Sequence, residues 1–130
     1  MATIGKKRWA GRIASGLAIS FLTFDSIIKV LALAPAVQAT AQLGYPANMV
    51  TGLGILELAC VIVYAVPRTS ALGAILLTGW LGGAIATHLR IGSPLVSHTL
   101  FPIYVAALVW GGLWLRSERL RQLFSLEAQP

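Results

Sequence analysis

The chain has 130 residues, about one domain's worth, of which 57% are hydrophobic and 11% charged, with a formal net charge of +6 and a mean hydropathy of +0.80. Soluble domains carry about 25% charged residues, so this chain has too few to cover a water-facing surface. The same figures exclude a disordered chain, and the lone cysteine, Cys60, excludes a disulfide framework, a CxxC redox pair and a cysteine zinc site. An integral membrane protein remains.

A bilayer core about 30 Å thick asks for about 20 mostly apolar residues in helical form. The first such run extends from about Trp9 to Ala34, preceded by Lys6-Lys7-Arg8. With Val37-Gln38-Ala39 as a small-residue cleavage site, this start mimics a secretory signal. Its apolar stretch, however, exceeds the usual length of about 7–15 residues and carries Asp25 and Lys29, which argues for a retained span. Pro35 and the Gly44-Tyr45-Pro46 turn separate it from the second run, about Asn48 to Val66. Pro67-Arg68-Thr69 leads into the third, about Ser70 to Leu89, and Gly92-Ser93-Pro94 into the fourth, about Thr99 to Leu115. Each separator carries proline where the helical ladder can least use it. The expectation is an all-α fold: one transmembrane domain over residues 1–130, built as a four-helix up-down bundle.

Basic residues are retained preferentially on the cytoplasmic side of a membrane. Lys6, Lys7, Arg8, Arg12, Arg68, Arg116, Arg119 and Arg121 fall on the side shared by both termini and the second connection, and only Arg90 falls on the other. Eight against one predicts cytoplasmic termini, with the loops around residues 35–47 and 90–98 facing out. The positive charge is thus a topology signal, and attraction to anionic lipid heads is its secondary role. No basic groove interleaved with aromatics points to nucleic acid.

Helices in lipid gain little from hydrophobic association, so small residues mark where backbones approach. In the third run Ala74, Thr78, Gly82 and Ala86 recur every fourth residue, beside a GxxxG pair at Gly79 and Gly83, and this helix is expected to be the most surrounded. Ala10, Ala14 and Ala18 repeat the pattern weakly in the first run, and Gly111-Gly112 in the fourth. Trp9, Tyr45, Trp110 and Trp114 fall near the expected interfaces and read as anchors.

The most informative residues are those a membrane should reject. Asp25 lies about nine residues before the outer end of the first run and Glu57 about nine after the outer start of the second, which puts both roughly 13 Å below the outer surface. Lys29 follows Asp25 by one turn, in the favourable acid-before-base order. His88, Arg90 and His98 gather at the outer ends of the third and fourth runs, and the cytoplasmic half has no comparable set. A charge at the helix centre costs about 2.5–3.5 kcal/mol on insertion scales, so convergence is the cheaper arrangement. Asp25, Lys29 and Glu57 are therefore expected to face inward as an outward-opening polar pocket with His88, Arg90 and His98 around its mouth. The plain alternative is that these residues only fasten the helices together. Haem ligation by His88 and His98 is a weaker reading, since edge histidines are common, and Cys60 reads as a small buried apolar residue. No P-loop, GxGxxG, HExxH or Ser/His/Asp set is present.

With the runs laid out, the chain resembles the DoxX-like family of small four-helix membrane proteins along nearly its whole length. The resemblance is carried by Asp25 through Lys29, Leu43-Gly44-Tyr45-Pro46, Gly54-Ile55-Leu56-Glu57-Leu58 and Pro67-Arg68-Thr69. It continues through Leu72-Gly73-Ala74-Ile75-Leu76-Leu77-Thr78-Gly79, Leu81-Gly82-Gly83-Ala84-Ile85-Ala86-Thr87-His88 with Arg90, Phe101-Pro102 and Gly112-Leu113-Trp114-Leu115-Arg116. The family usually has Tyr where Trp80 stands. The resemblance implies a bacterial cytoplasmic membrane protein with a quinone-linked or redox-associated role. The chain shows no cofactor signature of its own, so a partner protein would supply electrons while Glu57 and Asp25 exchange protons, Lys29 holds Asp25 ionised and His88 acts as the outer relay.

Three other readings compete. One is a small proton-coupled transporter resembling the small multidrug exporters in size, although the charge bias is unlike their dual topology. The others are a non-catalytic structural subunit, alone or as a homo-oligomer, and an isomerase acting on a lipophilic substrate.

Overall fold

Backbone polar groups in hydrocarbon must be satisfied within their own segment, which makes the apolar runs helical. The computed structural model describes residues 2–127, and the side chains of residues 5–123. Its α-helices are α1 (Ala2–Val30), α2 (Ala34–Gln42), α3 (Val50–Ala65), α4 (Ser70–Ile91), α5 (Phe101–Arg116) and α6 (Glu118–Glu127). Four segments, Gly5–Val30, Ala47–Ala65, Pro67–Ile91 and Leu95–Arg116, are long and apolar enough to cross a membrane. The extreme ends of the expected 1–130 domain lie outside the described residues.

The first helix stops at Val30, short of the expected Ala34. Ala32 adopts a left-handed φ of 50°, its N–H bonds to the Lys29 carbonyl, and the Leu33 N–H reaches back to Ile28, each at 3.0 Å. This is a Schellman stop with alanine where glycine is usual. Pro35 then sits in the first turn of α2, where its missing N–H is no loss, so part of the expected outer loop is helical. Gly92 closes α4 the same way, with φ 71° and Ser93 bonded back to His88. A 3-10 turn at Ala47–Met49 opens α3, and a single π turn at Leu95–Thr99 precedes α5. The sequence reading had no counterpart for α6, which begins where the Leu120 N–H donates to the Ser117 hydroxyl, an ordinary N-cap.

The order of packing also differs from expectation. The hub is α1, which packs against α3 and α5; α4 packs against α3 and α5, and α1 and α4 face each other across the bundle without close backbone contact. Gly11, Ser15, Ala18, Leu22 and Ser26 form the buried face of α1. Ala18 and Leu22 join Val61, Tyr64, Leu77, Val105 and Val109 in the core. Close approach falls at one expected glycine, Gly112, and otherwise at glycines outside the expected stripes. A Cβ at Gly112 would lie 2.7 Å from the Ser15 nitrogen and one at Gly11 would lie 2.7 Å from the Gly112 carbonyl, locking α1 to α5. A Cβ at Gly73 would collide with the Tyr64 backbone, locking α3 to α4. Gly79, Gly82 and Gly83 have no neighbour within 4 Å of such a Cβ, so the GxxxG pair joins no helices in this chain.

Candidate ligand pocket

The approach of α3 to α1 sets the site. A Cβ at Gly54 would fall 2.6 Å from the Val30 nitrogen, 2.7 Å from Lys29 Cβ and 2.8 Å from the Ser26 carbonyl, so only glycine admits α3 this close. One turn further along α3, at i+3, Glu57 is thereby brought against Lys29. Lys29 Nζ donates to Asp25 Oδ2 at 2.6 Å and to Glu57 Oε2 at 3.0 Å, and it lies 5.2 Å from the centroid of the Trp80 ring. The ammonium thus ties α1 to α3 and leans on α4.

Exposure grades the three polar groups. The side chain of Asp25 is 31% exposed, that of Lys29 19%, and that of Glu57 only 1%. Glu57 Oε1 is buried and has no hydrogen-bond partner, alone among the described side-chain atoms. A charge this deep is tolerable only with a partner, and a single shared ammonium serves both carboxyls.

A cavity of about 700 Å³ opens beside the triad, within the range typical of small-molecule sites. Its lining combines Asp25, Lys29 and Glu57 with Phe21, Leu53, Leu56, Trp80, Phe101 and Val105, and includes His88 and His98 toward the connection between α4 and α5. The two imidazoles meet edge to face at 6.0 Å between centroids. Their Nδ1 atoms pair with neighbouring hydroxyls, His88 with Ser93 at 3.0 Å and His98 with Ser97 at 2.7 Å.

Of the sequence-derived candidates, Asp25, Lys29, Glu57, His88 and His98 all border this cavity, whereas Arg90 does not. Arg90 Nη2 instead donates to the Leu43 carbonyl at 2.9 Å and latches the turn after α2, because the left-handed Gly44 leaves that carbonyl open to it. Among the described residues, no group of three His, Cys, Asp or Glu side chains could hold a metal. Cys60 is buried and also borders the cavity.

Two features escaped the sequence reading. Trp80, noted in the sequence only as standing where Tyr is usual, lies one turn above Leu77 on the core-facing side of α4 with its ring against Lys29. The half of the bundle expected to face the cytoplasm, where no comparable polar set was foreseen, holds a second network. Tyr64 Oη donates to the Val109 carbonyl at 2.7 Å and shares a hydrogen bond with Ser15 Oγ at 2.8 Å. Arg116 turns inward and donates to Ser15 Oγ at 3.0 Å and Ser70 Oγ at 3.3 Å, with its guanidinium 5.5 Å from the Tyr64 ring centroid. In the sequence Arg116 is indistinguishable from a flanking charge.

Among known families, the sequence profile of the DoxX-like family matches residues 13–112 of the chain. Neither a curated protein nor a solved structure matches the chain.

Proposed function

Taking as premise that the chain belongs to the DoxX-like family of membrane proteins, we propose that the cavity is an outer-leaflet pocket in which a lipophilic ligand meets proton-exchanging carboxyls. In this reading the four apolar segments form an up-down bundle in a bacterial cytoplasmic membrane, with both termini in the cytoplasm as the eight-to-one distribution of basic residues favours. The observation that carries it is a wholly buried Glu57 from α3 sharing the α1 lysine with Asp25 at the edge of a cavity otherwise mostly apolar. Intramembrane ionisable groups brought together from separate helices mark ligand or proton pathways.

The lining also fits a quinone-type lipophile. Aromatic and aliphatic side chains suit its body, Lys29 supplies a donor, and Glu57 Oε1 is an acceptor without a donor. Such a group, when bound, would carry electrons to or from a partner protein. The chain's own residues would handle protons: Glu57 would take one from the bound group at the inner end of the pocket, Lys29 would hold Asp25 by its hydrogen bond, and His88 with His98 would lie between the triad and the outer face.

The test is a pair of charge-neutral variants, Glu57→Gln and Asp25→Asn, in membranes assayed for quinol-linked electron transfer and accompanying proton uptake. Both are expected to assemble as the wild type does yet lose activity, Glu57→Gln by at least tenfold. Normal activity in both folded variants would leave a structural subunit as the better description.

A further inference from the structure

The outer half of α4 carries no buried residue beyond Leu81. The buried residues of the helix are Ser70, Gly73, Ala74, Leu77 and Leu81, although it continues to Ile91. At the inner end Gly73 holds α4 against the backbone of Tyr64. About 9 Å further out, at Gly79, and about 15 Å further out, at Gly83, an added Cβ would meet nothing within 4 Å. Both glycines border the cavity, and so does Leu56 on the facing side of α3, which is 55% exposed. The helices therefore part toward their outer ends and leave the cavity open sideways. The α1–α5 side is shut, since Phe21 and Phe101 meet edge to face at 5.3 Å. Above the α3–α4 cleft, Tyr45 Oη and Thr87 Oγ1 share a hydrogen bond at 3.4 Å, which bars it toward water.

At the inner end of this cleft lies the orphaned Oε1 of Glu57. Lys29 is committed to Oε2, to Asp25 and to the Trp80 face, and the Nδ1 atoms of both histidines are paired with serines. A buried acceptor without a donor is costly, so a ligand that brings one N–H or O–H completes the site. An ammonium head would have to cross hydrocarbon as a charge, at about 2.5–3.5 kcal/mol on insertion scales, and an acyl tail brings no donor. A hydroxyl meets the need without either drawback.

We infer that the cleft between α3 and α4 is a membrane-side entrance through which a hydroxyl-bearing lipophile slides from the surrounding lipid and presents its O–H to Glu57 Oε1. This rests on the reading of the cavity as a ligand pocket, and it is independent of any redox partner. Gly79 and Gly83 form the sill of the entrance, and Leu56 and Leu76 its flanks.

The experiment uses the full chain in lipid nanodiscs and a long-chain 4-alkylphenol with a diazirine on its tail, with the phenol's methyl ether as the non-donating control. Photolabelling of α3 and α4 around the cleft is expected to saturate, and the ether is expected to bind at least tenfold more weakly. Glu57→Met should erase that discrimination and Glu57→Gln should keep part of it. Gly79→Leu and Gly83→Leu, placed where the structure has room, should slow labelling at least tenfold while changing apparent affinity less than threefold. Gly82→Leu, outside the lining, should leave the rate unchanged. Unaltered rates in both entrance variants, or lowered affinity without slowing, would overturn the entrance while ether-discriminating saturation upheld the pocket. Labelling that rises without saturation, or that treats phenol and ether alike, would overturn the pocket and the hydroxyl together.

Discussion

Lys29→Met keeps most of the apolar stem of the side chain while deleting the charge and both hydrogen bonds. Its cost follows from how unequally its partners are buried. Asp25, nearly one-third exposed, retains solvent and loses an exposed-type ion pair, under about 1 kcal/mol. Glu57, at 1% exposure, loses the donor to Oε2 while Oε1 already has none. An abandoned carboxylate of this kind costs about 3–5 kcal/mol in protein interiors, so the expected loss is about 3–5 kcal/mol in all. The double variant Lys29→Met/Glu57→Gln removes the stranded charge and should regain about 2–3 kcal/mol relative to the sum of the single losses, since touching residues couple. Equilibrium unfolding of purified protein in mixed micelles, followed for the wild type, both single variants and the double, reads the cycle directly. A loss below about 1 kcal/mol for Lys29→Met, or additivity within about 0.5 kcal/mol, would refute the claim that this ammonium holds Glu57 in place.

Gly54→Ala should destabilise by about 1–3 kcal/mol, because its Cβ meets the backbone of α1 rather than a flexible side-chain end; Gly79→Ala, facing open space, should stay within about 0.5 kcal/mol of wild type in the same assay. Ala32→Gly relieves a left-handed alanine at the end of α1 and should raise stability by about 0.5–1 kcal/mol, seen as a higher midpoint in thermal unfolding. Tyr64→Phe removes the hydroxyl that joins Ser15 to the Val109 carbonyl and should cost about 1–3 kcal/mol, with faster amide exchange in α1 around Ser15 and in α5 around Val109 as the local signature.

The four apolar segments and the group of Asp25, Lys29 and Glu57 were legible in the sequence for one reason: charges stand out in apolar runs, and helical spacing fixes which of them share a depth. What the spacing does not carry is the identity of the neighbour. Gly79 and Gly83 form a better small-residue pattern than Gly11 and Gly112, yet only the latter pair lies at a helix contact. Pattern reports permission to approach; which helix arrives is set by loop lengths and by the bulk of the opposing face. Arg116 was unreadable for a related reason, since whether a terminal arginine snorkels outward or folds back depends on waiting acceptors, here Ser15 and Ser70. The early end of α1 escaped notice because a Schellman stop without glycine has no marker in composition. Arg90 was misplaced because the carbonyl it serves belongs to a turn whose shape depends on Gly44.

The anchoring of the bundle is concentrated at one pole. Near the cytoplasmic-facing ends of the proposed topology, Tyr64, Ser15, Ser70 and Arg116 knit α1, α3, α4 and α5 together, and Gly11, Gly73 and Gly112 let them lie flush. The opposite pole has Gly54 to seat α3 on α1, and its polar ties are the shared lysine, a tyrosine–threonine contact and the Arg90 latch on a turn. Foundation and workshop thus occupy different storeys, so mutation can remodel the upper walls, and with them the choice of guest, while the footing below stays intact.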